Sequence, residues 1–171
     1  VFVETRRALD REPLAAPRAA GPAARQGGFE PIVMTGFNRR FAPHVLRMKS
    51  LLAGRSEPKS LVMTVNAGAI PPEHWTQDAA VGGGRIIGEA CHFIDLMRFL
   101  TGSPIVRTSA HMLGRAPGLR IREDKATLVI EFADGSLGTL HYLANGHRSL
   151  AKERLEVFCG GAVLALDNFR L

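Results

Sequence analysis

Ala126-Thr127-Leu128-Val129-Ile130-Glu131-Phe132-Ala133-Asp134-Gly135-Ser136-Leu137-Gly138-Thr139-Leu140-His141-Tyr142-Leu143-Ala144 is two β-type runs folded about one dipeptide, Asp134-Gly135. Asp-Gly tolerates the positive φ of a tight hairpin, so the runs predict neighbouring antiparallel strands over 126–132 and 137–144. The same device recurs downstream, where Gly160-Gly161 separates strand-like runs at 154–159 and 162–166. Ile105 to Leu113 and Leu61 to Asn66 carry β patterning as well, and Pro31 to Gly36 reads as a shorter strand. Consecutive hairpins imply an open sheet, mainly antiparallel, that needs a cover on one face. Two stretches can supply it. Phe41, Val45, Met48 and Leu52 recur at helical spacing and stop at Gly54. From Arg85 to Leu100 runs a more apolar helix, with Ile86, Ile87, Ala90, Cys91, Phe93, Ile94, Met97 and Leu100, closed by Thr101-Gly102. The class is α+β: a large antiparallel sheet with helices on one side.

The length of 171 residues suits one ordinary domain, or one domain plus a remnant of another. Apolar residues make up 46% and charged residues 22%, the balance of a water-soluble globular protein. No apolar run reaches the roughly 20 residues that span a bilayer, and Val1-Phe2-Val3-Glu4 lacks a signal-peptide layout. With only Cys91 and Cys159, the expectation is a reducing cytoplasm rather than a disulfide framework. The formal net charge of +6 raises nucleic acid as a partner. Much of it sits in an arginine excess at Arg6, Arg7, Arg11, Arg18 and Arg25, and no aromatic RNA-binding signature or Cys/His finger accompanies it. Neither nucleic acid nor a membrane is expected as partner.

Residues 5 to 30 stand apart, rich in Ala, Pro, Arg and Gly, with Pro13, Pro17 and Pro22 breaking any long helix. They read as irregular, with room for a short helix near 8–16. The division is therefore 1–30 as a remnant and 31–171 as the folded domain.

The densest chemistry lies in Gly82-Gly83-Gly84-Arg85-Ile86-Ile87-Gly88-Glu89-Ala90-Cys91-His92-Phe93-Ile94-Asp95. Glu89, His92 and Asp95 are three apart and share a helical stripe. Carboxylates beside an imidazole fix its tautomer and raise its pKa, which suits proton transfer near neutral pH. From spacing alone, a buried structural histidine is the commoner case. The glycine run is not the dinucleotide fingerprint, and no G-x-G-x-x-G occurs in the chain. His74, Cys91, His92 and Cys159 lack the paired short spacings of zinc sites, so no metal is expected. The loop from Ala67 to Gly84 is long enough to be functional. With Asn66 before it, it offers His74, Trp75 and Asp78, an aromatic face with polar edges of the kind that binds sugars. A Trp that anchors its own loop is the alternative. Asn38-Arg39-Arg40 sits between a strand and a helix, where side chains serve a site or simply meet solvent.

Several segments, taken together, resemble the Gfo/Idh/MocA oxidoreductases. They are Gly36-Phe37-Asn38-Arg39-Arg40-Phe41-Ala42-Pro43-His44, Val65-Asn66-Ala67-Gly68, Pro71 to Asp78, Gly82 to Asp95, Lys152 to Phe158, and Leu166-Asp167-Asn168-Phe169-Arg170. The likeness is nearest to the branch fused to zinc-alcohol-dehydrogenase-like domains, and it covers Pro31 to the end. It implies the substrate-binding and oligomerisation domain that follows a dinucleotide-binding domain. It also implies hydride transfer between NAD or NADP and a CH–OH group of a sugar, inositol or sugar derivative. By this resemblance His92 falls on the family's active-site histidine. The family's catalytic Asp, four residues earlier, is replaced by Gly88 with Glu89 beside it. In an α-helix one residue turns a side chain by about 100°, which argues against an exact substitution. Arg39 would lie near the nicotinamide or a substrate anion. Asn66, His74, Trp75 and Asp78 would orient the polyol. Val1 to Glu4 resembles the strand leading to the family's Glu-Lys-Pro motif, but Thr5 and Arg6 stand where lysine and proline belong. The chain thus carries a reader of substrate without the cofactor's glycines, and little turnover is expected from it alone. A non-catalytic binding or self-association module of the same fold is the alternative, since an open sheet face invites a second copy.

Overall fold

The computed structural model describes residues 2–3, 34–78 and 80–170, with Phe2, Val3, Met34 and Thr35 described by backbone alone. The expectations for residues 5–30, including the helix over 8–16 and the positions of Thr5 and Arg6, lie outside the described residues. Two short strands, β1 (Phe2–Val3) and β2 (Met34–Thr35), pair in parallel. Of the strand expected over 31–36, β2 is the described part. A 3-10 turn at Arg39–Phe41 leads into helix α1 (Pro43–Leu52), which begins at the proline. Proline there loses nothing, because the first helical amides have no partner anyway.

The remaining elements are β3 (Ser60–Asn66), α2 (Cys91–Thr101), β4 (Ile105–Met112), β5 (Lys125–Phe132), β6 (Leu137–Leu143), β7 (Glu153–Cys159) and β8 (Ala162–Asp167). The strands form one sheet in the order β4-β5-β6-β3-β7-β8. The hairpins at Asp134-Gly135 and Gly160-Gly161 lie where the sequence placed them, joining β5 to β6 and β7 to β8. Gly135 has φ 83°, the left-handed backbone that this turn requires. All pairings but one are antiparallel. β3 and β6 run parallel; α2, β4 and β5 lie between them in the chain, so no hairpin joins the pair.

Alternation along the strands sets the two faces. Leu61, Met63 and Val65 of β3 are buried, as are Leu128, Ile130 and Phe132 of β5, Leu140 and Tyr142 of β6, and Leu155 and Val157 of β7. Val45, Met48 and Leu52 of α1, with Phe93, Leu96, Met97 and Leu100 of α2, complete that core. Gly138 lets α2 lie close on β6, since a Cβ there would sit 3.0 Å from Met97 Sδ. The other face is left open: Leu137, Leu143, Phe158 and Val163 point away from the helices and are exposed. Almost the whole of the edge strand β4 is exposed on both faces.

The helix read from Arg85 to Leu100 is two structures. A π turn at Ile86–Ala90 precedes the α-helix proper, and Gly102 ends it with φ 73°. Leu140→Ala is expected to cost about 2–5 kcal/mol in equilibrium unfolding, because it empties a fully buried site. Val163→Ala, on the open face, should stay within about 0.5 kcal/mol when the chain is monomeric.

Candidate functional site

The π turn stands just before α2, at the edge of a cavity. Gly88 and Glu89 both line a cavity of about 380 Å3 at the start of α2, together with Arg39, His74, Thr76, Gly82, Arg85 and His92. That volume falls in the range of small-molecule sites, roughly 300–1,000 Å3. The α-helical argument against Glu89 reaching the same space as Gly88 is therefore corrected.

Glu89 is held from three elements. Arg85, one turn earlier, donates to Oε2 at 3.1 Å, Tyr142 of β6 donates to the same oxygen, and Lys152 Nζ meets Oε1 at 2.5 Å. Burial works against its ionisation, but the hydrogen bonds from Lys152 and Tyr142, with the charges of Lys152 and Arg85, outweigh it and hold the carboxyl down to about 2. Burial and the same hydrogen bond push the Tyr142 hydroxyl well up, so it stays protonated as donor. Arg85 also donates to the Gly68 carbonyl at 2.6 Å and the Ala67 carbonyl at 3.1 Å, tying the loop after β3 to the helix.

His92 departs from expectation. Neither carboxylate partners it: Glu89 is engaged as described, and Asp95 receives Arg40 in a two-pronged pair. Its Nδ1 is buried with no hydrogen-bond partner, and the ring meets Phe37 edge-on at 5.5 Å. Burial first, then the Arg39 charge, lowers its pKa from the ordinary 6.5. The raised pKa predicted from flanking carboxylates is thus reversed, since desolvation and a cation outweigh acids spent on other donors. Nδ1 is thus closed to a ligand, while the residue itself lines the cavity.

Arg39 lies over the Phe93 ring at 4.4 Å, and Glu153 of β7 receives its Nε at 2.9 Å and Nη2 at 2.6 Å. Asn168 buttresses Glu153: its amide donates to the Glu153 carbonyl at 2.6 Å, and its Oδ1 accepts from the Glu153 amide. Asn168 and Phe169 hold φ of 51° and 53°, a costly backbone for side-chain-bearing residues.

His74 caps the 3-10 turn Trp75–Gln77: its Nδ1 accepts from the Thr76 amide at 3.3 Å and contacts Thr76 Oγ1 at 2.9 Å. An accepting Nδ1 places the proton of the neutral ring on Nε2. Trp75 tilts against His74 with ring centroids 5.8 Å apart and is 41% exposed; it is not among the residues that line the cavity. Gly82 lets this turn close on the helix start, since a Cβ there would lie 2.5 Å from Trp75 O and from Thr76 Cα.

Besides Trp75, two expected residues lie outside the lining, Asn66 and Asp78. The amide of Asn66 donates to the carbonyls of His147 at 2.8 Å and Leu150 at 3.1 Å, which fastens the β6–β7 loop. Asp78 accepts from the amides of Ala80 and Val81 and, through its carbonyl, from Gly82 and Gly83, knotting its own loop. Sequence reasoning missed Arg85, Tyr142, Lys152 and Glu153. The i, i+4 spacing of Arg85 and Glu89 was a readable signal. The tertiary reach of Tyr142, Lys152 and Glu153 was not. Among the described residues, no group of three or more His, Cys, Asp or Glu could hold a metal ion. Nor is any helix of the described residues long and apolar enough to cross a membrane.

A depressed carboxyl stabilises the fold above its unfolded pKa and loses that contribution as pH falls through the folded value. For Glu89 the window runs from the ordinary 4.5 down to about 2. Wild type should lose stability across this window faster than E89Q, which lacks the titration, and chemical denaturation at pH 7, 4 and 3 measures the difference.

Comparison with known proteins follows the same outline. The model of the GFO/IDH/MocA C-terminal domain matches residues 53–164. The chain is 34% identical over 125 residues to Inositol 2-dehydrogenase 2 of Saccharopolyspora erythraea, which covers 71% of this chain and 35% of that protein. A myo-inositol dehydrogenase from Corynebacterium glutamicum superposes with a TM-score of 0.73 at 23% identity, over 97% of this chain and 48% of that one. GenD2 from gentamicin A biosynthesis, solved in complex with NAD, superposes at 0.68 and 22% identity, over 98% of this chain and 47% of that one. The chain thus spans about a third of the length of the curated relative and about half of each solved chain.

Proposed function

Because the chain belongs to the GFO/IDH/MocA family through its C-terminal domain, we propose that it is the substrate-binding half of an NAD(P)-dependent oxidoreductase acting on a CH–OH group of a sugar, inositol or sugar derivative. The observation that supports this most is the cavity at the start of α2, where His92 shares a wall with Arg39, His74 and Glu89. The fused branch rests on the quoted motifs alone.

Bound NAD(P) supplies the hydride acceptor. The described residues fit its reactive end: Arg39 and His92 share the cavity, and the Arg39 guanidinium is fixed by Glu153. No described segment forms the glycine-rich strand-to-helix turn that cradles a pyrophosphate. On this reading His92 Nε2 takes the proton of the substrate hydroxyl. The imidazole is neutral at physiological pH because burial and Arg39 depress its pKa, so it is in the form that accepts a proton. Glu89 works as an electrostatic anchor, its oxygens already occupied. Trp75 and His74 form the side against which a polyol ring packs. Asn66 and Asp78 contribute by holding the loops that frame the cavity.

In the enzyme containing both halves, His92→Gln is expected to lower kcat by about 10²–10⁴-fold with a smaller change in KM. The wild-type rate should fall on acidification only below the usual imidazole range. NADH titrated into this chain alone should bind far more weakly than micromolar; micromolar affinity would overturn the division of labour.

The open sheet face, with Leu137, Leu143, Phe158 and Val163, is the expected contact between copies. Light scattering should report a homo-oligomer that Phe158→Glu dissociates. A strictly monomeric wild type counts against that interface.

A further inference from the structure

The ionised side chains around the cavity are out of balance. Arg39, Arg85 and Glu89 line it, Glu153 backs Arg39, and Lys152 backs Glu89. Three cations against two carboxylates leave an excess of one positive charge around a half-open cavity.

Hydrogen-bonding capacity is unequal in the same direction. Both Glu89 oxygens already accept, one from Lys152 and the other from Arg85 and Tyr142. Both Glu153 oxygens accept from Arg39. On the donor side, the Arg39–Glu153 pair uses Nε and Nη2 and does not engage Nη1. His74 accepts through Nδ1 and so presents Nε2–H. The start of the helical run, the positive end of its dipole, opens on the cavity at Gly84 and Arg85. A neutral polyol brings hydroxyls that both donate and accept, and the two carboxylates nearest the cavity are already engaged. A carboxylate is acceptor-only and suits donors.

We propose that the substrate of this site is a polyol carrying one carboxylate, a sugar acid, with that carboxylate received by Arg39. The proposal rests on the polyol-site reading above and narrows it to an anionic class. Charge assistance makes such a contact stronger than a neutral one, and Arg39 is already fixed in place before the ligand arrives. An anion there also offsets the effect of Arg39 on His92, drawing the imidazole back toward its ordinary range as a proton acceptor.

The test is an NMR titration of the whole chain at pH 7.5, following the His74 and His92 ring signals, with D-glucuronate, D-glucose and D-glucose 6-phosphate as separate probes. Glucuronate is expected to bind at least about tenfold more tightly than glucose, with the gap narrowing as salt rises. Arg39→Gln should abolish the preference, and Arg39→Lys, which keeps the charge, should retain part of it. The wild-type comparison stands even where a variant fails to fold. Equal affinity for glucose and glucuronate overturns the sugar-acid inference and leaves the polyol site intact. A preference for the phosphate over glucuronate overturns the carboxylate assignment. No response at His74 or His92 to any of the three overturns both readings.

Discussion

One ionised carboxylate ties the molecule's parts together. Glu89 sits in a π turn, yet its partners come from the turn's first residue, from the middle of β6 and from the segment leading into β7. Arg85 extends the knot to the carbonyls of Ala67 and Gly68 after β3. A buried charge is tolerable when every lone pair and proton has a partner, and removing one partner leaves a desolvation cost unbalanced. The helical layer, the sheet and the loop over the cavity are therefore coupled through a single group.

The opposite wall depends on a second division of labour. Arg39 and Arg40 are neighbours in one 3-10 turn, but they leave it on opposite sides of α2. Arg39 crosses Phe93 to reach Glu153, and Arg40 crosses Phe99 to reach Asp95. The pair straddles the helix and fixes where the turn can lie. The left-handed backbone at Asn168 and Phe169 belongs to the same construction, since it lets one asparagine hold both the amide and the carbonyl of Glu153. Strain at the chain's far end is thus spent in keeping a cavity side chain oriented.

What could be read from the sequence follows from the range of each interaction. The Asp134-Gly135 and Gly160-Gly161 hairpins are local, and the alternation in β5 and β6 reports directly on one buried face, so the sheet was legible. The parallel pairing of β3 with β6 was not, because the two strands are far apart in the chain, with α2, β4 and β5 between them. His92, Glu89, His74 and Arg39 were readable as cavity residues through motifs. The environment of His92 was misread: spacing places two carboxylates on its stripe, but spacing cannot show that distant arginines, a lysine and a tyrosine have claimed them. Asn66 and Asp78 do not line the cavity for a similar reason: the Asn66 Nδ2 is taken by the carbonyls of His147 and Leu150, and Asp78 Oδ1 by the amides of Ala80 and Val81.

Glu89 brings a carboxylate to the cavity one residue beyond Gly88, and both residues border that space. This carboxylate differs from a free acid. It is saturated by three donors and held down to about 2, so it remains ionised throughout the physiological range and has no proton to exchange. On the function proposed above, proton transfer would fall to His92, which lines the same cavity. The displaced carboxylate fixes the field in which that histidine works.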